Sequence, residues 1–428
     1  MSNTVLGNLI GTDGSGAVDL GNASRGVFIG WSAQANTVGP DNVISGNDSD
    51  GIFISEDGTT GNVVLGNFIG TDAGGTADLG NGDHGILIGY GAQDNVVGPD
   101  NVISGNDRHV VDIYEIPTTG NVVSGNRIGT DAGGTADLGN SQNGVTIHGG
   151  AQCNTVGPDN VISGNNWSGV SIRDTGTTGN VVVGNVVGAD AGGTVDPRNT
   201  RSGIIISGSA QDNTVGGDAA GEGNVISGNG QFGVYISDDD TMGNTVSGNA
   251  IGTDESGTID LGNGLDGVII DYGAHDNTIG LDNVIAHNDW DGVEVAGSGT
   301  IGNAITRNSI FSNTLGIDLV DGANGDIAAP VIVTTTLGSV HVVGSACPGC
   351  TVELFENGDT DGEGETYVGH ATAGATGAFT VVVTHLNDPY LTATATDASS
   401  GTSEFSAVFT ATVMSDITVY LPLALKNN

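Results

Sequence analysis

Two imidazoles and a guanidinium meet in a short stretch at His84 and Arg108-His109. Imidazole is the side chain that exchanges protons near neutral pH, and guanidinium orients carboxylates and phosphates. Trp167, Phe232 and Trp290 stand at equivalent places further along the chain. Aromatic faces beside polar groups form a platform on which sugar rings stack. His84, Arg108, His109, Trp167, Phe232 and Trp290 are therefore the candidate carbohydrate-binding residues. A second set is acidic: Asp13/Asp19, Asp72/Asp78, Asp131/Asp137, Asp190/Asp196 and Asp254/Asp260, each pair six apart. Calcium takes several carboxylate and carbonyl oxygens, so these pairs are candidate calcium ligands. The plainer expectation is that each Asp caps the backbone of its own loop. Cys347-Pro-Gly-Cys350 lacks a second such pair to complete a zinc site, which leaves a local disulfide or two turn thiols. No resident metal or cofactor is expected beyond that calcium reading.

These residues are set out by a repeat. Ile10-Gly11-Thr12-Asp13, Ile69-Gly70-Thr71-Asp72, Ile128-Gly129-Thr130-Asp131 and Val187-Gly188-Ala189-Asp190 recur at intervals of 59. Within each interval a small residue followed by an apolar–x–apolar stretch starts at Gly26, Gly51, Gly85, Val110, Gly144, Gly169, Gly203, Gly233, Gly267, Gly292 and Gly316. The steps alternate mainly between 25 and 34 residues, and the longer coil carries the acidic loop. The step of 30 marks the insertion Gly217–Gly223. Short strands around Ile86-Leu87-Ile88, Val96-Val97 and Val102-Ile103, separated by Gly and Asn turns, predict three strands per coil. Eleven coils at ~4.8 Å each give a rod on the order of 50 Å. A column of Asn, from Asn36 and Asn62 through Asn303, falls one turn before the second strand, where stacked amides bond along the axis. The corner before the first strand is the variable one, and it carries the histidines and two of the three Trp. A leucine-rich repeat has a similar period, but its Leu-x-x-Leu-x-Leu pattern is missing.

Asn101-Val102-Ile103-Ser104-Gly105-Asn106 and Gly129-Thr130-Asp131-Ala132-Gly133-Gly134-Thr135 resemble right-handed parallel β-helix repeat proteins of secreted bacterial type, the pectate-lyase-like superfold. The resemblance covers roughly residues 1–320 and implies the fold; lyases, hydrolases, adhesins and passive stalks all use it. After Gly322 the ruler stops. Residues 329–412 alternate with period two, predicting an antiparallel β-sandwich. Val352-Glu353-Leu354-Phe355, Ala393-Thr394-Ala395-Thr396-Asp397 and Thr402-Ser403-Glu404-Phe405-Ser406 resemble immunoglobulin-like modules behind secreted β-helices, which act as spacers or stabilise the open end. The expected organisation is all-β: a solenoid over 1–322, a small sandwich over 329–412 and a tail over 413–428. The tail, with Val419 to Lys426, reads equally as an attachment signal or a docked edge strand. The chain starts in mid-pattern at Asn3-Thr4-Val5-Leu6-Gly7-Asn8, so upstream coils and a leader are expected to precede it.

Enzymes of this fold supply a test. Polygalacturonase-like hydrolases carry Asn-Thr-Asp, Asp-Asp, Gly-His-Gly and Arg-Ile-Lys motifs. Here only Asp238-Asp239-Asp240 contains Asp-Asp, and Arg127-Ile128 runs into Gly129. Pectate-lyase-like enzymes need a basic proton acceptor; the solenoid holds seven Arg and no Lys, and Arg173-Asp174 or the His84/Arg108/His109 patch are the remaining candidates. Lys and Arg total 8 against 50 Asp and Glu, a formal charge of −42, which argues against nucleic acid as a partner. The longest apolar runs are too short to span a membrane. The expected protein is a non-enzymatic, extracellular or cell-surface β-solenoid, a stalk, adhesin or fibre subunit that binds a glycan or itself. The alternative is a polysaccharide lyase or glycoside hydrolase.

Overall fold

The computed structural model describes residues 2–193, 197–336 and 340–411. The tail 413–428 and Asp196 lie outside them. Three parallel sheets of eleven strands each run the length of the solenoid, and successive strands of a sheet come from successive coils. Sheet 1 begins at Thr4–Val5 and ends at Ala304–Ile305; sheet 2 runs from Leu9–Ile10 to Ser309–Phe311; sheet 3 runs from Val27–Ile29 to Ile317–Val320. This is the parallel β-helix that the repeat predicts, with eleven coils, numbered here 1 to 11 by their sheet 3 strands.

Alternation explains why such short strands suffice. In coils 2 to 4, Ile52 and Ile54, Ile86 and Ile88, and Val111 and Ile113 point inward from sheet 3 and are fully buried. Val64, Val97 and Val123 do so from sheet 1, and Ile69, Ile103 and Ile128 from sheet 2. The core is thus made of stacked aliphatic columns, each buried side chain contributing about 1.5–3 kcal/mol. Large rings would not fit between coils, which accounts for an aromatic content of 4%. The glycine before ten of the eleven sheet 3 strands, all but Val110 of coil 4, answers the same crowding: a Cβ on Gly51 would lie 2.7 Å from the carbonyl oxygen of Gly85 in the next coil.

The corners are held by Asn. Asn121 Nδ2 donates to Asn154 Oδ1 at 3.0 Å and to the Ala92 carbonyl at 3.1 Å, while Asn121 Oδ1 accepts from both nitrogens of Asn95 at 3.0 Å. The predicted column forms in this way, and two more accompany it. One passes through Asn67, Asn101, Asn126 and Asn160, the other through Asn81, Asn106, Asn140 and Asn165.

The acidic loops close on themselves. Asp72 Oδ1 accepts from the backbone N–H groups of Thr76 and Ala77, and Asp131 Oδ1 from those of Thr135 and Ala136. Asp78 and Asp137 each cap a glycine two residues on. Their carboxylates are engaged by the loop backbone.

Beyond Ile317–Val320 the chain forms a three-stranded and a five-stranded antiparallel sheet. Ile332, Val342, Val352, Leu354, Phe379, Val381 and Leu391 pack between them. This sandwich closes the last coil. Gly364 pairs with Ile310 in an antiparallel bridge, Thr402 Oγ1 accepts from Ile305 N at 2.8 Å, and the Phe405 ring packs against the solenoid core. Glu353 accepts from Thr306 Oγ1 at 2.7 Å and from Arg307 N at 3.0 Å. Cys347 and Cys350 form a disulfide, and Cys153 is free.

Candidate functional site

The outer face of sheet 3 gathers the chemistry. Three sets of side chains project from it in register: the corner residue two before each strand, and the second and fourth residues of the strand. In the corner column stand Arg25, Asp50, His84 and His109 on coils 1 to 4. Asp112 is the second residue of strand Val111–Tyr114, and His148 the last of Val145–His148. The parallel ladder places these groups, from five different coils, side by side.

They form an alternating row. Arg25 Nε lies 3.2 Å from Asp50, and Asp50 lies 2.9 Å from His84 Nδ1. His84 Nε2 is 3.5 Å from Asp112, whose other side is 3.1 Å from His148 Nε2; His148 Nδ1 is 3.4 Å from Asp174. Asp112 is buried between two imidazoles. Burial pulls the Asp50 carboxyl up, but the bond and charge of His84, with Arg25, hold it below the usual carboxylate range. His109 stacks on His84 with ring centres 6.0 Å apart, and Trp167 meets it edge-on at 6.1 Å. Burial pushes the His109 imidazole down to about 4 against the pull of Asp112, so it is neutral at pH 7. Arg201 lies 4.8 Å above the Trp167 ring.

A chain of rings runs beside this row. Trp31, Phe28, Phe53, Tyr90 and Tyr114 touch in sequence with centres 5.1–6.0 Å apart, and Tyr114 reaches the His148 ring at 4.9 Å. Trp31 and Tyr90 are 79% and 51% exposed, and both take left-handed backbone angles, φ 56° and 53°. At the same corner Gly149 and Gly208 adopt φ 63° and 62° on coils 5 and 7. A bulky residue there carries backbone strain that glycine avoids.

Of the sequence candidates, His84, His109 and Trp167 come together. Arg108 instead turns along the corner to Asp83, 3.0 Å away. Phe232 packs on Tyr235 in coil 8, with centres 5.3 Å apart, and Trp290 stands half-exposed at coil 10. Neither belongs to the His84–His109 cluster. Arg173 lies next to the row, 3.9 Å from Asp174. Sequence reasoning missed Asp50, Asp112 and His148 as members. Of the eight Lys and Arg residues, Arg25, Arg108, Arg173 and Arg201 border this one stretch of a chain carrying −42.

Lower on the same face the columns turn acidic. Asp266 and Asp291 occupy the corner on coils 9 and 10, and Glu294 is the second residue of strand Val293–Ala296. Burial pushes Asp266 up to about 6 and Glu294 to about 7, with neighbouring carboxylates adding to it.

No protein-family model matches the chain, and no curated protein matches it. Among solved structures it is similar to the periplasmic alginate epimerase AlgG, at 14% identity and a TM-score of 0.34, covering 67% of this chain and 69% of that one. A mutant form of the same epimerase aligns at 14% identity and TM-score 0.40, over 69% of this chain and 78% of that one. The tailspike protein gp49 of Acinetobacter baumannii bacteriophage Fri1, a capsular polysaccharide depolymerase, aligns at 10% identity and TM-score 0.24, over 84% of this chain and 69% of that one.

Proposed function

We propose that this chain is a glycan-binding β-solenoid, secreted or displayed at a cell surface as a stalk, adhesin or fibre subunit. It holds an extended saccharide along the outer face of sheet 3, across coils 1 to 7, without turning it over. The observation that carries this reading is the aromatic chain beside the Arg–Asp–His row, exposed at Phe28, Trp31 and Tyr90. Trp31 and Tyr90 stand at left-handed corners that other coils fill with glycine or with acids such as Glu56 and Asp174, so these rings are strained and solvated at once. A ligand that covers them offsets both penalties. The polar row supplies acceptors and donors to sugar hydroxyls at coil spacing, close to the length of one sugar ring, so a polymer would meet equivalent groups from coil to coil.

Binding to a glycan array, followed by calorimetry on the best ligand, tests this. Tyr90→Gly and Trp167→Ala should each weaken affinity by tenfold or more. Tyr90→Gly should leave stability within about 1 kcal/mol, because relief of the left-handed strain balances glycine's backbone entropy. Absence of binding across the array, or affinity untouched by both variants, would sink the reading.

One observation favours the enzymatic alternative. Asp112, buried between His84 and His148, resembles in its chemistry an acid–base relay, able to hold one imidazole as proton acceptor for a lyase or hydrolase. Incubation with a panel of neutral and uronic-acid polysaccharides decides: reducing-sugar release or unsaturated product, lost in Asp112→Asn and His148→Ala, would replace binding by turnover.

A further inference from the structure

The lower, acidic part of the same face carries a second site. One carboxylate oxygen from each of Asp266, Asp291 and Glu294 lies within 4.8 Å of the others. The register builds this closeness. Asp266 and Asp291 are successive members of the corner column, and Asp291 N donates to Asp266 Oδ1 at 2.8 Å. Glu294 pairs across the ladder with Asp318 of coil 11, a fourth carboxylate on the same patch. On coils 3 to 5, these columns set carboxylate against imidazole. Here they set carboxylate against carboxylate, and among the described residues none of the three forms an ion pair with Lys, Arg or His.

A cluster of acids alone would mean little on a surface this negative. Asp266 supplies the independent observation. Its side chain is fully buried, and its Oδ2 has no hydrogen-bond donor. A carboxylate oxygen withdrawn from water without a partner is costly, on the order of 1–3 kcal/mol or more for a charged group. The structure offers it no donor from the protein. A bound cation would remove that penalty and the mutual repulsion together.

We propose that Asp266, Asp291 and Glu294 bind one divalent cation of the calcium type. The donor set is oxygen only, which selects a hard ion. Three carboxylates do not fill a shell of six to eight, so water on the partly open Glu294 side completes it, an arrangement that calcium tolerates. In the acidic loops the backbone instead engages one oxygen each of Asp72 and Asp131.

Trp290 precedes Asp291 directly, so terbium bound here is placed to be sensitised by indole. The full chain is stripped with EDTA and titrated with terbium by luminescence, then with calcium by competition and by calorimetry. One saturating site is expected, displaced by calcium. Asp266→Asn and Glu294→Gln should each weaken it by tenfold or more, whereas Asp72→Asn should leave it unchanged. Asn and Gln keep the shape and remove like-charge repulsion, so both variants should fold in EDTA at least as stably as the parent, checked by circular dichroism. No saturable binding up to millimolar calcium overturns the proposal. So does binding that all three variants retain equally, which would be diffuse attraction to the acidic surface.

Discussion

Single side chains decide the electrostatics of the upper row. His109 is buried, its Nδ1 has no hydrogen-bond partner, and its folded pKa is pushed from 6.5 down to about 4. The sign follows from linkage: below pH 6.5 the unfolded chain binds a proton that the folded chain refuses, so stability present above 6.5 is lost as pH falls toward 4. The expected loss from this residue is on the order of 2 kcal/mol by pH 4. His109→Gln should flatten that part of the pH profile of chemical denaturation; a profile identical to the parent's would show that His109 charges freely in the folded state. The groups facing it are Asp112, His84, His148 and Arg173, and only Asp112 pulls the other way. Glu294 works in the opposite sense. Its pKa is raised, so its folded form holds a proton that the unfolded chain releases, and it destabilises the metal-free fold as pH rises from the usual carboxylate range through about 7.

At the scale of the strand and the corner, what holds the coils is legible in the chain, and what the coils display is less so. The Gly–apolar–x–apolar starts locate each sheet 3 strand because burial forces small and aliphatic residues there. One Asn column announced itself by its spacing, yet Asn67, Asn101 and Asn126 form a second, whose turns carry fewer distinguishing neighbours. His84, His109 and Trp167 stood out as departures at a variable corner. Asp112, His148 and Glu294 did not, since an outward strand position accepts almost any polar residue; their meaning comes from partners 24 to 36 residues away, in register only once the ladder is built. The Asn columns themselves make a sharp prediction. Asn121→Leu removes two accepted and three donated side-chain bonds, leaving the buried Asn95 N–H and the Ala92 carbonyl without these partners. At roughly 1–3 kcal/mol per buried unsatisfied group, the loss should reach 3 kcal/mol or more. The equivalent change at Asn3, an exposed member of the same column that donates to Asn36 Oδ1, should cost under about 1 kcal/mol. Equal losses in urea denaturation would mean that the columns contribute by shape and not by hydrogen bonding.

For the whole molecule, the balance between like charge and backbone capture sets the response to salt. Fifty acids against eight bases give −42, and stacking places equivalent residues of neighbouring coils only ~4.8 Å apart, well inside the ~10 Å Debye length at 0.1 M salt. Unscreened, such ladders repel along the whole rod. Two features lower that repulsion. Acidic loops come on every second coil, and Asp13 is held below the usual carboxylate range by the Ser15 hydroxyl and by backbone N–H groups, as Asp254 is by Ser256 and its loop. The remaining repulsion is expected to fall as salt shortens the Debye length toward ~3 Å at 1 M. The melting temperature in EDTA should therefore rise by several degrees between 0.02 and 1 M sodium chloride, against the usual weakening of surface ion pairs. Asp266→Asn removes one charge from the tightest cluster, so its melting temperature should start higher at low salt and converge on the parent's at 1 M. A melting temperature independent of salt in both proteins would instead assign the acidic surface to donors within the fold, with no net repulsion left for a cation or a ligand to relieve.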